Sequence, residues 1–287
     1  MKRRSFIMHT AAAACASLAL PSAFALMAGA APDSPTLRLD PNRVDSPFAC
    51  VASLMGGGAY SAVCITPRFA LTAAHVVQHP HDLSLYLNLG ADFSHRFTIK
   101  RVAFPPPPAQ RDPAQPVGDL ALVEIDGQFP DGLVMPPFAQ AAAQEGLRIE
   151  LTGYGASGTG DHGVSVGSNP VLKRVGANRI DRVLRDKNTA AALLYYFSFD
   201  AVSASRRDAG RSLGNTVETG LASGDSGSPA FVRENGRLAL IGINSFVIRS
   251  PGTPANGFGT VSGGQVLAAH RAWLLSELGS SAWPGLA

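Results

Sequence analysis

Between residues 48 and 262 the chain advances in short apolar runs, each cut off by glycine or proline before a helical face can develop. The sequence holds 30 Gly and 21 Pro, and the runs between them are rich in β-branched and aromatic residues, the pattern of strands joined by turns. Candidate strands cover 48–54, 60–66, 68–73, 83–89, 96–103, 120–125, 147–152, 193–199, 229–233, 238–246 and 257–262. A helical period emerges only at the end. From Gln265 to Leu278, the residues Val266, Leu267, Trp273, Leu274 and Leu278 fall at helix-like spacing, which predicts a C-terminal helix docked on the body. The pattern allows a mostly β fold, as one large domain or two small ones, followed by a single helix.

One hexapeptide in this frame carries chemistry: Gly224-Asp225-Ser226-Gly227-Ser228-Pro229. A serine flanked by glycines suits a strained turn that presents a hydroxyl, and Gly224 permits unusual dihedrals and close backbone approach. The backbone N–H groups of Gly224 and Ser226 are candidates for an oxyanion hole. A serine attacks a carbonyl only with a positioned base, and that base needs an orienting acid. Of seven histidines, His75 stands out because it closes the run Phe69-Ala70-Leu71-Thr72-Ala73-Ala74-His75. His75 and His79 have the spacing of a helical metal pair, but position 76 is valine and Pro80 follows, so no metal is expected. The acid is best placed at Asp119, heading the apolar run Leu120-Ala121-Leu122-Val123. The order is therefore His75, Asp119, Ser226. It differs from the hydrolase elbow G-x-S-x-G, whose second glycine is replaced by Ser228.

With these segments in place, the chain resembles the trypsin/chymotrypsin-like serine peptidases. Leu71-Thr72-Ala73-Ala74-His75, Asp119-Leu120-Ala121-Leu122 and Gly224 to Pro229 are similar to the family's three signatures; Leu151-Thr152-Gly153-Tyr154-Gly155 and Leu240 to Phe246 are similar to two of its strands. The resemblance implies two packed antiparallel β-barrels with a C-terminal α-helix, and a peptidase domain over 44–278. The first barrel falls at about 44–135, the second at about 146–264 and the helix at about 265–278. It implies a serine endopeptidase acting on a protein or peptide, with no cofactor. It gives Ser245 a supporting role behind Asp119, and places the base of the substrate pocket at Gly220 and its walls at Val247 and Gly257. Glycine at the base selects a small or medium apolar residue before the scissile bond, not Arg or Lys. In the family the acid at Asp225 pairs with an N-terminus freed by cleavage. No such start is visible here beyond Arg43-Val44, and Arg174 or Arg179 are internal alternatives. A non-catalytic binding homologue and an esterase with the same triad are the rival readings.

Residues 1–25 read as an export signal, with Lys2, Arg3 and Arg4, an apolar stretch and the small-x-small site Ala23-Phe24-Ala25. A second site at Ala28-Gly29-Ala30 moves the cut as late as 30, and Arg3-Arg4-Ser5-Phe6-Ile7 resembles a twin-arginine signal of a bacterial protein. Residues 26–43 form an N-terminal extension. The product is expected to be periplasmic or extracellular, monomeric, and without stable membrane association. Losing the leader removes three of 24 basic residues and none of 21 acids, so the mature charge is near zero and nucleic acid is not an expected partner. Cys50 and Cys64 lie seven residues either side of Gly57. A hairpin centred there sets them opposite each other, which in an oxidising compartment predicts a disulfide.

Overall fold

The computed structural model describes residues 26–78, 82–107, 115–201, 212–279 and 281–286. The export signal, His79, His81 and most of the loop at 203–216 lie outside the described residues.

Six strands make the first unit: β1 (Val51–Met55), β2 (Ala59–Thr66), β3 (Phe69–Thr72), β4 (Ser84–Leu87), β5 (His95–Ala103) and β6 (Ala121–Ile125). They close into a barrel in the order β1-β2-β3-β6-β5-β4, every pairing antiparallel. The β1–β2 hairpin turns at Gly57, whose φ of 71° suits glycine, and its register pairs Val51 with Val63. Leu54, Val63, Leu71 and Val123 are fully buried within it. Each such side chain contributes roughly 1.5–3 kcal/mol relative to exposure.

The second unit follows a connection over 126–147. Its strands are β7 (Arg148–Gly153), the short hairpin β8 (Ser157–Thr159) and β9 (Gly163–Val166), then β10 (Arg174–Arg179), β11 (Arg182–Arg185), β12 (Ala192–Phe199), β13 (Pro229–Glu234), β14 (Arg237–Ile248) and β15 (Thr260–Val266). Seven of them form one antiparallel sheet, β10-β7-β13-β14-β15-β12-β11. It curls without closing by a strand ladder. Across the seam, the Asn178 side chain of β10 donates to the Ser198 carbonyl of β12 at 2.8 Å, and the Ser198 N–H donates to Asp181 at 2.6 Å.

The C-terminal helix α1 spans Arg271–Leu278, later than the apolar spacing predicts. Gln265 and Val266 belong instead to β15, where Gly263 and Gly264 lie against β12 and β14. Backbone pairing on both sides outweighs the helical spacing there. Leu274 and Leu278 of α1 join the first-barrel core, together with Trp283, whose indole N–H donates to the Pro136 carbonyl at 2.8 Å.

Candidate functional site

His75 sits in a single 3-10 turn, Ala74–Val76, directly after β3. Asp119 immediately precedes the buried Leu120 and β6, and its carboxylate holds both ends of the histidine. Oδ1 accepts the His75 backbone N–H at 2.9 Å, and Oδ2 lies 2.7 Å from Nδ1. On the other side of the ring, Nε2 lies 2.9 Å from Ser226 Oγ. Both ring nitrogens of His75 are thus engaged. The imidazole is 44% exposed and the Asp119 carboxylate 16%, so the line of three groups runs from protein interior to open cleft. Residues 75 and 119 come from the first barrel, residue 226 from the loop before β13 in the second unit.

Ser61 of β2 ties that loop to the first barrel, a function sequence reading misses. Fully buried, Ser61 donates its N–H to the Ser226 carbonyl at 3.1 Å and its hydroxyl to the Gly224 carbonyl at 3.1 Å. Its Oγ also accepts the Tyr154 N–H at 3.0 Å. With two carbonyls drawn to Ser61, the amides of Gly224 and Ser226 have no acceptor among the described residues. Gly224 has φ 95°, and a Cβ there would lie 2.7 Å from the Ala59 carbonyl and 2.9 Å from Gly155 Cα. Only glycine fits. Ser228, where the common family pattern has glycine, is buried and accepts from Asn244 Nδ2 at 2.8 Å, while Asn244 Oδ1 accepts from the Tyr195 hydroxyl at 2.7 Å.

Ser245 does not bond to Asp119. It stands at a bulge in the β14–β15 pairing and its Oγ accepts from Gln265 Nε2 at 3.1 Å. Gln265 is the interposed residue: it donates to the Pro116 carbonyl at 2.7 Å and accepts the Gly118 N–H at 2.9 Å. It therefore fixes the backbone leading into Asp119. Its position inside a seemingly helical run hid it from the sequence.

A cavity of about 170 Å³ opens beside Ser226, lined by Leu221, Ala222, Ser223, Ser245, Phe246, Val247 and Asn256. Val247 is where the sequence places it. Gly220 and Gly257 are not on the wall. A Cβ on Gly220 would meet the Phe199 side chain at 3.0 Å, and one on Gly257 would meet the Gly160 carbonyl at 2.5 Å. Asn256 is on the wall. No charged side chain lines the cavity. Glu218 turns elsewhere, accepting the Asp200 and Leu213 amides.

Asp225 is fully buried. Its carboxylate accepts the N–H of Gly155 and that of Ala222, each at 2.9 Å. Room for it comes from two glycines: Cβ atoms on Gly153 and Gly155 would fall 2.4 Å and 2.7 Å from its Oδ1. Burial pushes its carboxyl up to about 7, against the opposing pull of the Ala222, Gly155 and Leu26 amides and the field of Arg174. Neither Val44, 71% exposed, nor Arg179, which donates to the Gly146 carbonyl, meets it.

The expected disulfide is absent. Cys50 and Cys64 face each other in the register the hairpin sets, but both are free and buried. The Cys64 N–H donates to the Cys50 carbonyl at 2.9 Å, marking a hydrogen-bonded cross-strand position. There the side chains stand farther apart than at a non-hydrogen-bonded pair. Desolvation pushes the Cys50 thiol up to about 12 and raises Cys64 as well.

The family model described as Trypsin matches residues 42–262, and the chain belongs to the trypsin family. Membership makes it a trypsin-like serine endopeptidase, a hydrolase. No curated protein matches its sequence. A structure of HL collagenase at 1.7 Å resolution is similar to it with TM-score 0.57 and 16% identity, over 81% of this chain and 94% of that one. At such low identity this likeness concerns the fold, which is chymotrypsin-like. No helix among the described residues is long and apolar enough to cross a membrane.

Proposed function

We propose that the protein hydrolyses peptide bonds through an acyl-enzyme on Ser226, with His75 as general base and acid and Asp119 as its orienting carboxylate. His75 takes the Ser226 hydroxyl proton as Oγ attacks the carbonyl carbon. Asp119 accepts the Nδ1–H bond and stabilises the cationic ring. The Gly224 and Ser226 amides hold the oxyanion. His75 then gives its proton to the leaving amine, and water repeats the sequence on the acyl group. The observation that carries this reading is the unbroken contact line of 2.7 and 2.9 Å through His75.

The cavity sets the preferred residue before the scissile bond. A void of about 150 Å³ admits a benzene-sized guest, so a cavity of about 170 Å³ takes a medium apolar side chain. Its uncharged lining offers nothing to pair with Arg or Lys. The substrate is a peptide or protein met after export, and the working unit is a monomer.

A fluorophosphonate probe tests the nucleophile: it labels the natural chain and not Ser226→Ala. A folded, leader-free chain that resists the probe sinks the proposal in favour of a binding homologue. Profiling on a peptide library tests the pocket; cleavage after Arg or Lys contradicts the lining described above. Peptide turnover alongside ester turnover separates a peptidase from an esterase.

A further inference from the structure

One lateral row of residues crosses the second sheet on its outer face. The pairing sets Phe246 of β14 opposite Gly263 of β15, Gly263 opposite Tyr196 of β12, and Tyr196 opposite Arg182 of β11. Residues directly opposite one another share a face. Tyr195 and Phe197 turn into the core, so Tyr196 between them turns outward. It is buried all the same, at 6% exposure. Its cover comes from the row. A Cβ on Gly263 would fall 2.4 Å from Phe246 Cζ; glycine there lets the Phe246 ring lean across β15 to reach Tyr196. The two rings meet edge to face, with centroids 5.2 Å apart and planes at 61°. From β11, the Arg182 guanidinium lies 4.2 Å from the Tyr196 centroid.

The row starts at the candidate site and ends on a charge. Phe246 lines the cavity beside Ser226. Arg182 is exposed, and no carboxylate among the described residues forms an ion pair with it. The acid beside it in sequence is committed elsewhere: Asp181 accepts the Ser198 N–H at 2.6 Å. Stacking occupies the flat face of a guanidinium and leaves its in-plane N–H donors open, in the fork that fits a carboxylate. The ring also holds the side chain before any partner arrives, so less freedom is lost on pairing. An arginine that only capped the sheet edge would need no aromatic bridge to the cleft.

Neighbouring strands lie about 4.8 Å apart, so the steps from β14 through β15 and β12 to β11 span about 14 Å. An extended peptide covers that in about four residues, at roughly 3.3 Å each. The leaving amine must meet His75, which the first barrel supplies, so the acyl half of the substrate lies over the second unit. We propose that Arg182, held on Tyr196, selects substrates with an Asp or Glu roughly three to five residues before the scissile bond. Two parallel N–H donors of the guanidinium bind the carboxylate. Selection is thus split: the uncharged cavity takes an apolar side chain at the bond, and a cation reads an acid upstream. The contact is remote from the reacting atoms and equal in ground and transition states, so it acts on KM.

This selection rests on Ser226 being the nucleophile, and its test separates the two. Peptides carry Leu before the cut and either Glu or Gln at the third, fourth or fifth residue before it. The readout is the Glu-to-Gln ratio of kcat/KM within one protein, which cancels any loss of folded enzyme. For the natural chain the ratio should reach about 5-fold at one of these positions in low salt, carried by KM, and shrink in about 0.5 M salt. Arg182→Gln should bring it to about 1, and Arg182→Lys should keep only part of it, since an ammonium lacks the fork. Tyr196→Leu should lower it with Arg182 still in place. A ratio near 1 in the natural chain, or one that survives Arg182→Gln, overturns the proposal and leaves the peptidase reading intact. If no peptide is cleaved, that reading fails, and binding of the same peptides, labelled for fluorescence anisotropy, decides the subsite. Binding about 5-fold tighter for Glu than for Gln, lost in Arg182→Gln, supports it; equal binding overturns it.

Discussion

Replacing Ser61 with alanine tests whether the first barrel sets the nucleophile. The hydroxyl makes two buried bonds, to the Gly224 carbonyl at 3.1 Å and from the Tyr154 N–H at 3.0 Å. The backbone bond to the Ser226 carbonyl survives the change. Ser61→Ala leaves one buried acceptor and one buried donor unmatched, at about 1–3 kcal/mol each. The expected loss of stability is therefore roughly 2–6 kcal/mol, or about 4–24 °C in midpoint for a chain of this size. Urea unfolding should show a lower midpoint with an unchanged slope. Catalysis should suffer in a particular way. Gly224, released from Ser61, shifts the amide expected to face the oxyanion, which is bound tightly only in the transition state. kcat should fall about 10- to 100-fold with KM little changed. A Ser61→Ala protein that keeps its stability within about 0.5 kcal/mol and its full kcat refutes the reasoning, since surface-like behaviour of that size means no buried bond was lost.

Other outcomes follow from separate features. Gly224→Ala forces a Cβ onto the Ala59 carbonyl at a φ of 95°; a stability loss of about 3 kcal/mol or more and near-complete loss of turnover are expected, by calorimetry and peptide assay. Ellman's reagent should find neither Cys50 nor Cys64 in the folded protein and both after denaturation, and reductant should leave the midpoint unchanged. His270 is half-buried, with its pKa lowered to about 4 by desolvation. A depressed histidine contributes stability above its unfolded pKa of about 6.5 that is lost as pH falls toward 4. His270→Leu should flatten that slope in unfolding measured from pH 7 to pH 4. Asp225, raised to about 7, gives the opposite slope: the folded state binds the extra proton, so stability declines as pH climbs from about 4 to 7. Each slope is read as a difference from its own variant, His270→Leu or Asp225→Asn.

Strands rich in β-branched and aromatic residues were readable because burial on a pleated surface needs those residues; β2, β5, β12 and β14 fall within a few residues of their sequence positions. Strands β8 to β11 escaped. They are short, and much of their sequence is glycine, serine, arginine or asparagine, held by pairing with a neighbouring strand more than by their own preference. The residues His75, Asp119 and Ser226 were legible because each sits at the end of a run with an unusual local pattern. Ser61 and Gln265 were not, because a buried serine or glutamine leaves no local trace. Their meaning lies mainly in partners distant in the chain, Gly224 and Tyr154 for Ser61, Pro116 and Gly118 for Gln265. The disulfide expectation got the facing pair right and failed on which kind of cross-strand pair it was, a distinction of hydrogen bonding that spacing does not encode.

The open second sheet leaves two strand edges to be covered. An uncovered strand edge is a template for another chain. This sheet guards both of its edges. Along β10, the segment 217–219 pairs with Ala177, and Leu39 and Asp40 pair with Arg174 and Lys173. Asp40 is also locked to the buried Lys173 ammonium at 3.0 Å. At the far edge, β11 presents the exposed Arg182 and Arg185, with Arg182 stacked 4.2 Å over the Tyr196 ring. One border is closed by chain and the other by charge. The same N-terminal extension that reaches Asp225 thus also covers part of the β10 edge.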